Sequence, residues 1–197
     1  MIKLDIYSDY VCPWCYVGQG IVSRLKKDFK VNVDWKPFFL HPEVSVDGIR
    51  ITGQLLQRYT ILHRQLQNPA HDYGLPFVIP YVLPNSRRAL EATEYARVHG
   101  KHEEFHHAVF HKFYGEGQDI GKWEILRAVA EMIELDPDEM QSKTEAGDFQ
   151  DILNVKLNNA NTLGIVVAPT YVINDKDRIE GVQPYAEFTN ILKQLSG

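Results

Sequence analysis

Residues 2–38 read as strand, turn, helix, strand, and the chain's only two cysteines, Cys12 and Cys15, sit on the strand-to-helix turn. The run Ile2-Lys3-Leu4-Asp5-Ile6-Tyr7 alternates as a short buried strand, and Ser8-Asp9-Tyr10-Val11 carries the chain round. From Pro13 to about Asp28 the pattern is helical, with apolar residues at Tyr16, Val17, Ile21, Val22, Leu25 and Phe29 near the 3.6 period. Gly18 and Gly20 weaken such a helix intrinsically, so it depends on packing or on close approach of another segment. Val31 to Phe38 then alternates with period two. A strand, a helix and a strand in succession form a βαβ unit, whose strands pair in parallel.

Cys12-Pro13-Trp14-Cys15 therefore lies at the N-terminal end of a helix. Unpaired backbone N–H groups and the positive end of the macrodipole favour a thiolate there. The thiolate is the form that attacks a disulfide. Cys12, first in the motif, is the expected nucleophile, and Cys15 resolves the mixed disulfide that results. Two other readings compete, an inert pair and half of a zinc site. So short a loop stabilises little as a staple, and a zinc site needs two more ligands, for which no second Cys-x-x-Cys exists.

The far end of the chain completes a second half of the layer. Thr170-Tyr171-Val172-Ile173 reads as a strand, Asn174 to Asp177 as a tight turn, Arg178 to Val182 as the returning strand, and a closing helix starts near Pro184. From about Thr52 to Gly164 the pattern is helical with no convincing strand. Asn85-Ser86 can cap a helix through Ala89, Leu90 and Tyr95, and Asp136-Pro137-Asp138-Glu139 is an N-cap followed by an N1 proline and acidic residues. Gly74 to Pro80 is too proline-rich for a helix and reads as an extended connection. The expected class is α/β, divided as a first half over 1–48, an all-helical insertion over 49–145 and a second half over 146–197.

A net charge of −5 with no long basic stretch argues against nucleic acid as a partner. Lys26-Lys27 and Arg87-Arg88 read as isolated pairs on solvated helix faces. The longest apolar runs, such as Ile165-Val166-Val167-Ala168, are far too short to span a membrane. No charged n-region and apolar h-region precede the first strand, so the expected location is cytoplasmic. Two close cysteines in that compartment are catalytic or metal-binding more often than structural.

The segments Ser8 to Gly18, Asn85-Ser86-Arg87-Arg88-Ala89, Gly164 to Ile173 and Gly181-Val182-Gln183-Pro184-Tyr185 together resemble the DsbA-like branch of the thioredoxin superfamily. Within it the chain is most similar to FrnE-like proteins, relatives of the 2-hydroxychromene-2-carboxylate isomerases. The resemblance implies a thioredoxin fold (βαβ plus ββα) carrying a large all-helical insertion. It also implies a cis bond before Pro169, facing the cysteines, with the backbone at Ala168 and Pro169 pairing with substrate beside Cys12. Pro13 and Trp14 would tune thiolate stability and redox poise. Some FrnE-like proteins carry a further cysteine pair, which this chain lacks. The implied activity is thiol–disulfide exchange on protein or small-molecule disulfides and thiols. It needs no cofactor beyond the redox-active disulfide, with glutathione as a possible co-substrate. An alternative is a glutathione-dependent isomerase or transferase acting on a small aromatic substrate, for which Tyr10 and Asn85 leave room for a pocket. In those relatives a serine typically occupies the position of Cys12. A third reading is chaperone-like partner binding in the helical groove.

His102-Glu103-Glu104-Phe105-His106 formally matches H-E-x-x-H, with Glu124 or Glu131 as a conceivable third ligand. Phe105, Ala108, Val109 and Phe113 define the apolar face, so His102 and His106 are expected at its edge without metal. His107 and His111 fall on the polar side, where exposed imidazoles are expected. Tyr10, Trp14 and Tyr16 could rim the site near Cys12, at least one of them belonging to the core.

Overall fold

The structure is a computed structural model and describes residues 1–196. Strand β1 (Ile2–Ser8) leads through the cysteine turn into α1 (Pro13–Asp28) and then β2 (Val31–Pro37). The two strands pair in parallel from Ile2↔Val31 to Ser8↔Pro37, as a right-handed βαβ crossover requires. Then follow β3 (Ile49–Arg50), α2 (Gly53–Asp72), β4 (Val82–Leu83), α3 (Arg87–Val98) and α4 (His102–Phe110). The last of these runs on into a π-helical turn, His111–Gly115. Next come α5 (Trp123–Met132), α6 (Pro137–Glu145), α7 (Gln150–Thr162), β5 (Thr170–Ile173), β6 (Asp177–Glu180) and α8 (Tyr185–Ser196). The main sheet has the order β2-β1-β5-β6, with β5 antiparallel to β1 and to β6. This is the thioredoxin layer, with the insertion helices between β2 and β5.

The stretch expected to hold no strand contains a two-residue ribbon, β3 with β4, pairing Ile49 with Leu83 and Arg50 with Val82. Two residues are too few to show period-two alternation, so no sequence pattern marked it. The Asp136 carboxylate caps α6, accepting from the N–H groups of Asp138 and Glu139 at 2.9 and 3.0 Å. The β5–β6 turn places Asn174 and Asp175 at φ of 50° and 59°, a conformation that these two residue types tolerate. Gly20 answers the expectation of close approach: a Cβ there would lie 2.5 Å from the Tyr73 side chain, where α1 packs on the end of α2.

Two cores share α1. One lies between the sheet and helices α1 and α8, with Leu4, Ile6, Trp35, Tyr171, Phe188 and Leu192 at its centre. The other is built largely by the insertion, and its buried members Tyr95, Phe105, Phe110, Phe113 and Tyr114 enclose Tyr10, Cys12, Cys15 and Tyr16. The cysteine turn is thus pressed between the two, which fixes where its sulfurs can face.

Candidate active site

Cys12 is the N-cap residue of α1, in extended backbone geometry, with Pro13 in the first helical turn. Its carbonyl accepts from the N–H groups of Cys15 and Tyr16 at 3.1 and 3.2 Å, which starts the helix. Proline suits this position because its missing N–H would have no partner there. The Cys12 N–H donates to the Asp9 carbonyl at 3.1 Å. The Asp9 side chain, fully buried, accepts from the N–H groups of Val11 (3.3 Å) and Leu40 (2.6 Å) and ties the turn to the segment after β2. Burial raises the Asp9 carboxyl above the usual carboxylate range, partly offset by those two N–H groups and by the Ser86 hydroxyl.

Both cysteines are free thiols. The Cys12 thiol donates to the Ala168 carbonyl at 3.3 Å, and the Ala168–Pro169 peptide bond is cis. Cys12, Cys15, Pro13, Trp14, Ala168 and Pro169 are therefore brought together from two distant parts of the chain. Cys12 is 3% exposed and Cys15 0%. Burial pushes the Cys15 thiol well above its ordinary range, reinforced by its hydrogen bond with Cys12 and by any charge there. The Asp9 N–H and the Ser8 hydroxyl face the Cys15 sulfur and pull the other way. One sulfur at a helix end beside a backbone carbonyl, with a second behind it, is the arrangement that attack and resolution require. Val166 and Val167 are exposed just before Ala168, and half-buried Trp14 flanks the other side.

Two tyrosines that the sequence did not single out complete the walls. The Tyr114 hydroxyl, fully buried, donates to the Val11 carbonyl at 2.7 Å, one residue before Cys12. Tyr59 of α2 meets Tyr114 hydroxyl to hydroxyl and lies close enough to Cys12 to feel a charge there. Tyr114 sits in the π-helical turn, whose extra residue shifts the register of a helix by a local hydrogen-bond choice. Such turns occur often at functional sites, and nothing in the periodicity announces one.

Other expected site residues lie elsewhere. Tyr10 is core: its hydroxyl shares a 2.6 Å hydrogen bond with Thr93 Oγ1, and its ring meets those of His106 and Phe110. Asn85 accepts from the Arg87 N–H at 2.9 Å and donates to the Val44 carbonyl, so it shapes the start of α3. It lines a cleft of about 280 Å³ with Arg87, Arg88 and Trp123, whereas Tyr10 borders a different, small enclosed space. A joint Tyr10–Asn85 pocket is corrected accordingly. Tyr16 is also core, its hydroxyl donating to the Pro76 carbonyl at 2.5 Å, which leaves Trp14 as the rim residue of the three.

Arg87 and Arg88 are not on a solvated face. Arg87 pairs with Glu91 at 2.9 Å, while Arg88 lies over the Trp123 ring at 5.2 Å and donates to the Gly121 carbonyl. His106 is not at a core edge but inside, 4% exposed and stacked on Trp35 at 4.1 Å. Among the described residues no group of three or more His, Cys, Asp or Glu could hold a metal ion. His107 is half-buried against Gln19 Oε1 at 2.6 Å, because α4 packs beside α1. His111 is the exposed one, beside Glu116 at 3.3 Å.

A model of the DsbA-like thioredoxin domain matches residues 3–193. The chain belongs to the DsbA-like thioredoxin domain family. Among its relatives, uncharacterized protein YwbO of Bacillus subtilis is 30% identical over 177 residues, covering 88% of each chain. The 2-hydroxychromene-2-carboxylate isomerase of Sphingobium xenophagum is 23% identical over 92% of this chain and 96% of its own. The solved structure of a probable DsbA oxidoreductase, SCO1869 of Streptomyces coelicolor, superposes with a TM-score of 0.88 at 23% identity, covering 98% of this chain and 89% of that one. That likeness shows the DsbA-like fold. No helix among the described residues is long and apolar enough to cross a membrane.

Proposed function

We propose that this DsbA-like protein is a thiol–disulfide oxidoreductase working through Cys12 and Cys15. The observation that carries the reading is the placement of the Cys12 sulfur, at the start of α1 and 3.3 Å from the Ala168 carbonyl. Cys12 attacks a substrate disulfide to form a mixed disulfide and displaces one thiolate. Cys15 then attacks the Cys12 sulfur, closing Cys12–Cys15 and releasing the second thiolate; substrate oxidation runs the same steps backwards. The exposed backbone around Ala168 is the place for an extended peptide or a small disulfide to lie. The electrons reside in the dithiol, so the reaction calls for no further cofactor, and glutathione serves as a small-thiol partner.

We place the reaction in the cytoplasm, since Cys12 and Cys15 leave no cysteine for the structural disulfides of oxidising compartments. A cytosolic poise of roughly −220 to −320 mV then holds the dithiol reduced and favours a reductase or isomerase. Titration against glutathione redox buffers tests this. We expect a reversible Cys12–Cys15 disulfide with a potential below about −230 mV. No such bond at any poise removes the oxidoreductase reading. The likeness to the isomerase favours a second reading, in which bound glutathione supplies the attacking thiol. Trapping with Cys15→Ser separates the two: protein adducts on Cys12 support disulfide exchange, and adducts with glutathione alone support the small-molecule branch.

A further inference from the structure

Behind the cysteine turn, between the ends of β1 and β2 and helices α3 and α4, lies an enclosed space of about 10 Å³, bordered by Ser8, Tyr10, Trp35, Thr93, Glu94 and His106. That is room for about one water. Neither ring nitrogen of His106 has a hydrogen-bond partner, and Trp35 Nε1 has none either. A buried imidazole without a partner is uncommon, since leaving such a group unsatisfied costs about 1–3 kcal/mol. Ser8 joins this space to the redox centre, because its hydroxyl also faces the Cys15 sulfur.

Resolution of a mixed disulfide needs Cys15 as a thiolate, yet Cys15 is wholly buried and has no route to bulk water. Asp9, the nearest buried acid in sequence, already accepts from Leu40 and Val11 with its two oxygens. Resting on the exchange reading above, we propose that His106 and one water in this space take the proton that Cys15 sheds, by way of the Ser8 hydroxyl. In the step, Cys15 passes its proton to Ser8 Oγ as Ser8 passes its own to the water and the water one to His106. The Cys15 sulfur bonds to the Cys12 sulfur, the bond from Cys12 to the substrate sulfur breaks, and the substrate leaves as thiolate with the electron pair. The dithiol is oxidised and the substrate disulfide reduced. His106 is a positioning and proton-holding residue; it touches no reacting sulfur.

The surroundings suit the role. His102 and His107 on α4 and Arg97 on α3 bring positive charge near His106, and burial adds to them, so the ring rests neutral and ready to accept. Glu94 on α3 borders the space, and Lys36 of β2 borders it too; Asp34 of β2 is taken up by Arg97 and Lys36. In the mixed disulfide Cys12 carries no charge and no thiol proton, which removes two of the causes that hold the Cys15 proton in place.

The test uses the full-length protein and glutathione disulfide in rapid mixing from pH 6 to 9.5, reading closure of Cys12–Cys15. We expect His106→Phe, which keeps a ring on Trp35, to slow closure about 100-fold at pH 7 and to recover toward alkaline pH. Ser8→Ala should do the same, the double variant should be no slower, and neither should change adduct formation on Cys12 in a Cys15→Ser background. Unchanged pH–rate profiles in both variants overturn the relay alone. Equal slowing of adduct formation in the Cys15→Ser background also overturns it, since that marks lost packing. A parent protein that forms no glutathione adduct overturns the exchange reading and the relay with it.

Discussion

A Cβ built on Gly18 would lie 2.5 Å from the Tyr171 hydroxyl and 3.5 Å from Pro169 Cγ. The second turn of α1 thus rests directly on β5 and on the proline that faces Cys12. Gly18→Ala should lose about 1–3 kcal/mol by overpacking, against which alanine's better helix propensity returns up to about 1 kcal/mol. The buried Tyr171 hydroxyl has no hydrogen-bond partner, so Tyr171→Phe should be neutral or stabilising and should rescue Gly18→Ala. Denaturant titration of the four proteins checks this; a Gly18→Ala protein as stable as the parent would falsify the close approach.

Tyr114→Phe removes the donor from the Val11 carbonyl beside Cys12. Leaving that buried acceptor unsatisfied should cost about 1–3 kcal/mol. Because the carbonyl belongs to the cysteine turn, the glutathione equilibrium of the dithiol should shift as well. A stability loss with an unmoved equilibrium would assign Tyr114 to packing alone.

Glu103 on α4 is held down to about pKa 2 by His107 and Lys26, the latter at 2.5 Å across to α1. Its folded-state pKa is depressed, so its contribution is full above its ordinary value of 4.5 and is lost as pH falls through about 2. The carboxylate is partly exposed, so Glu103→Gln should cost no more than about 1 kcal/mol at pH 7. The gap between the two proteins should close over that acid window in pH-dependent unfolding.

His106 follows the same sign for a different reason. Burial first, then the charges of His107, His102 and Arg97, lower its pKa well below 6.5. The unfolded chain takes up this proton first, so the contribution is full above pH 6.5 and is lost as pH drops below it. His106→Phe should flatten the fall in stability between pH 7.5 and 5. An unaltered slope would mean that the ring is not buried neutral.

Asp136 supplies a control far from the thiols in sequence. Asp136→Ala should cost about 1 kcal/mol through the lost cap of α6. Disulfide exchange should be unaffected, measured at a temperature where both proteins are folded.

What the chain determined by itself is local. Alternation in Ile2 to Tyr7 and Val31 to Pro37, the proline after Cys12 and the cap at Asp136 follow from side-chain period and backbone chemistry within a few residues, and the structure shows each of them. The cysteine turn was legible for the same reason. The facts that shape the site depend on distant segments. Tyr10 reads like a rim residue until α3 and α4 close over it, and His106 reads like a helix edge until Trp35 of β2 is found against its ring. Tyr59 and Tyr114 carry no sequence signal because their role comes from where α2 and a π-helical turn deliver their hydroxyls. Periodicity reports which face of an element is apolar, and only the packing of elements against one another decides which polar atoms that face encloses.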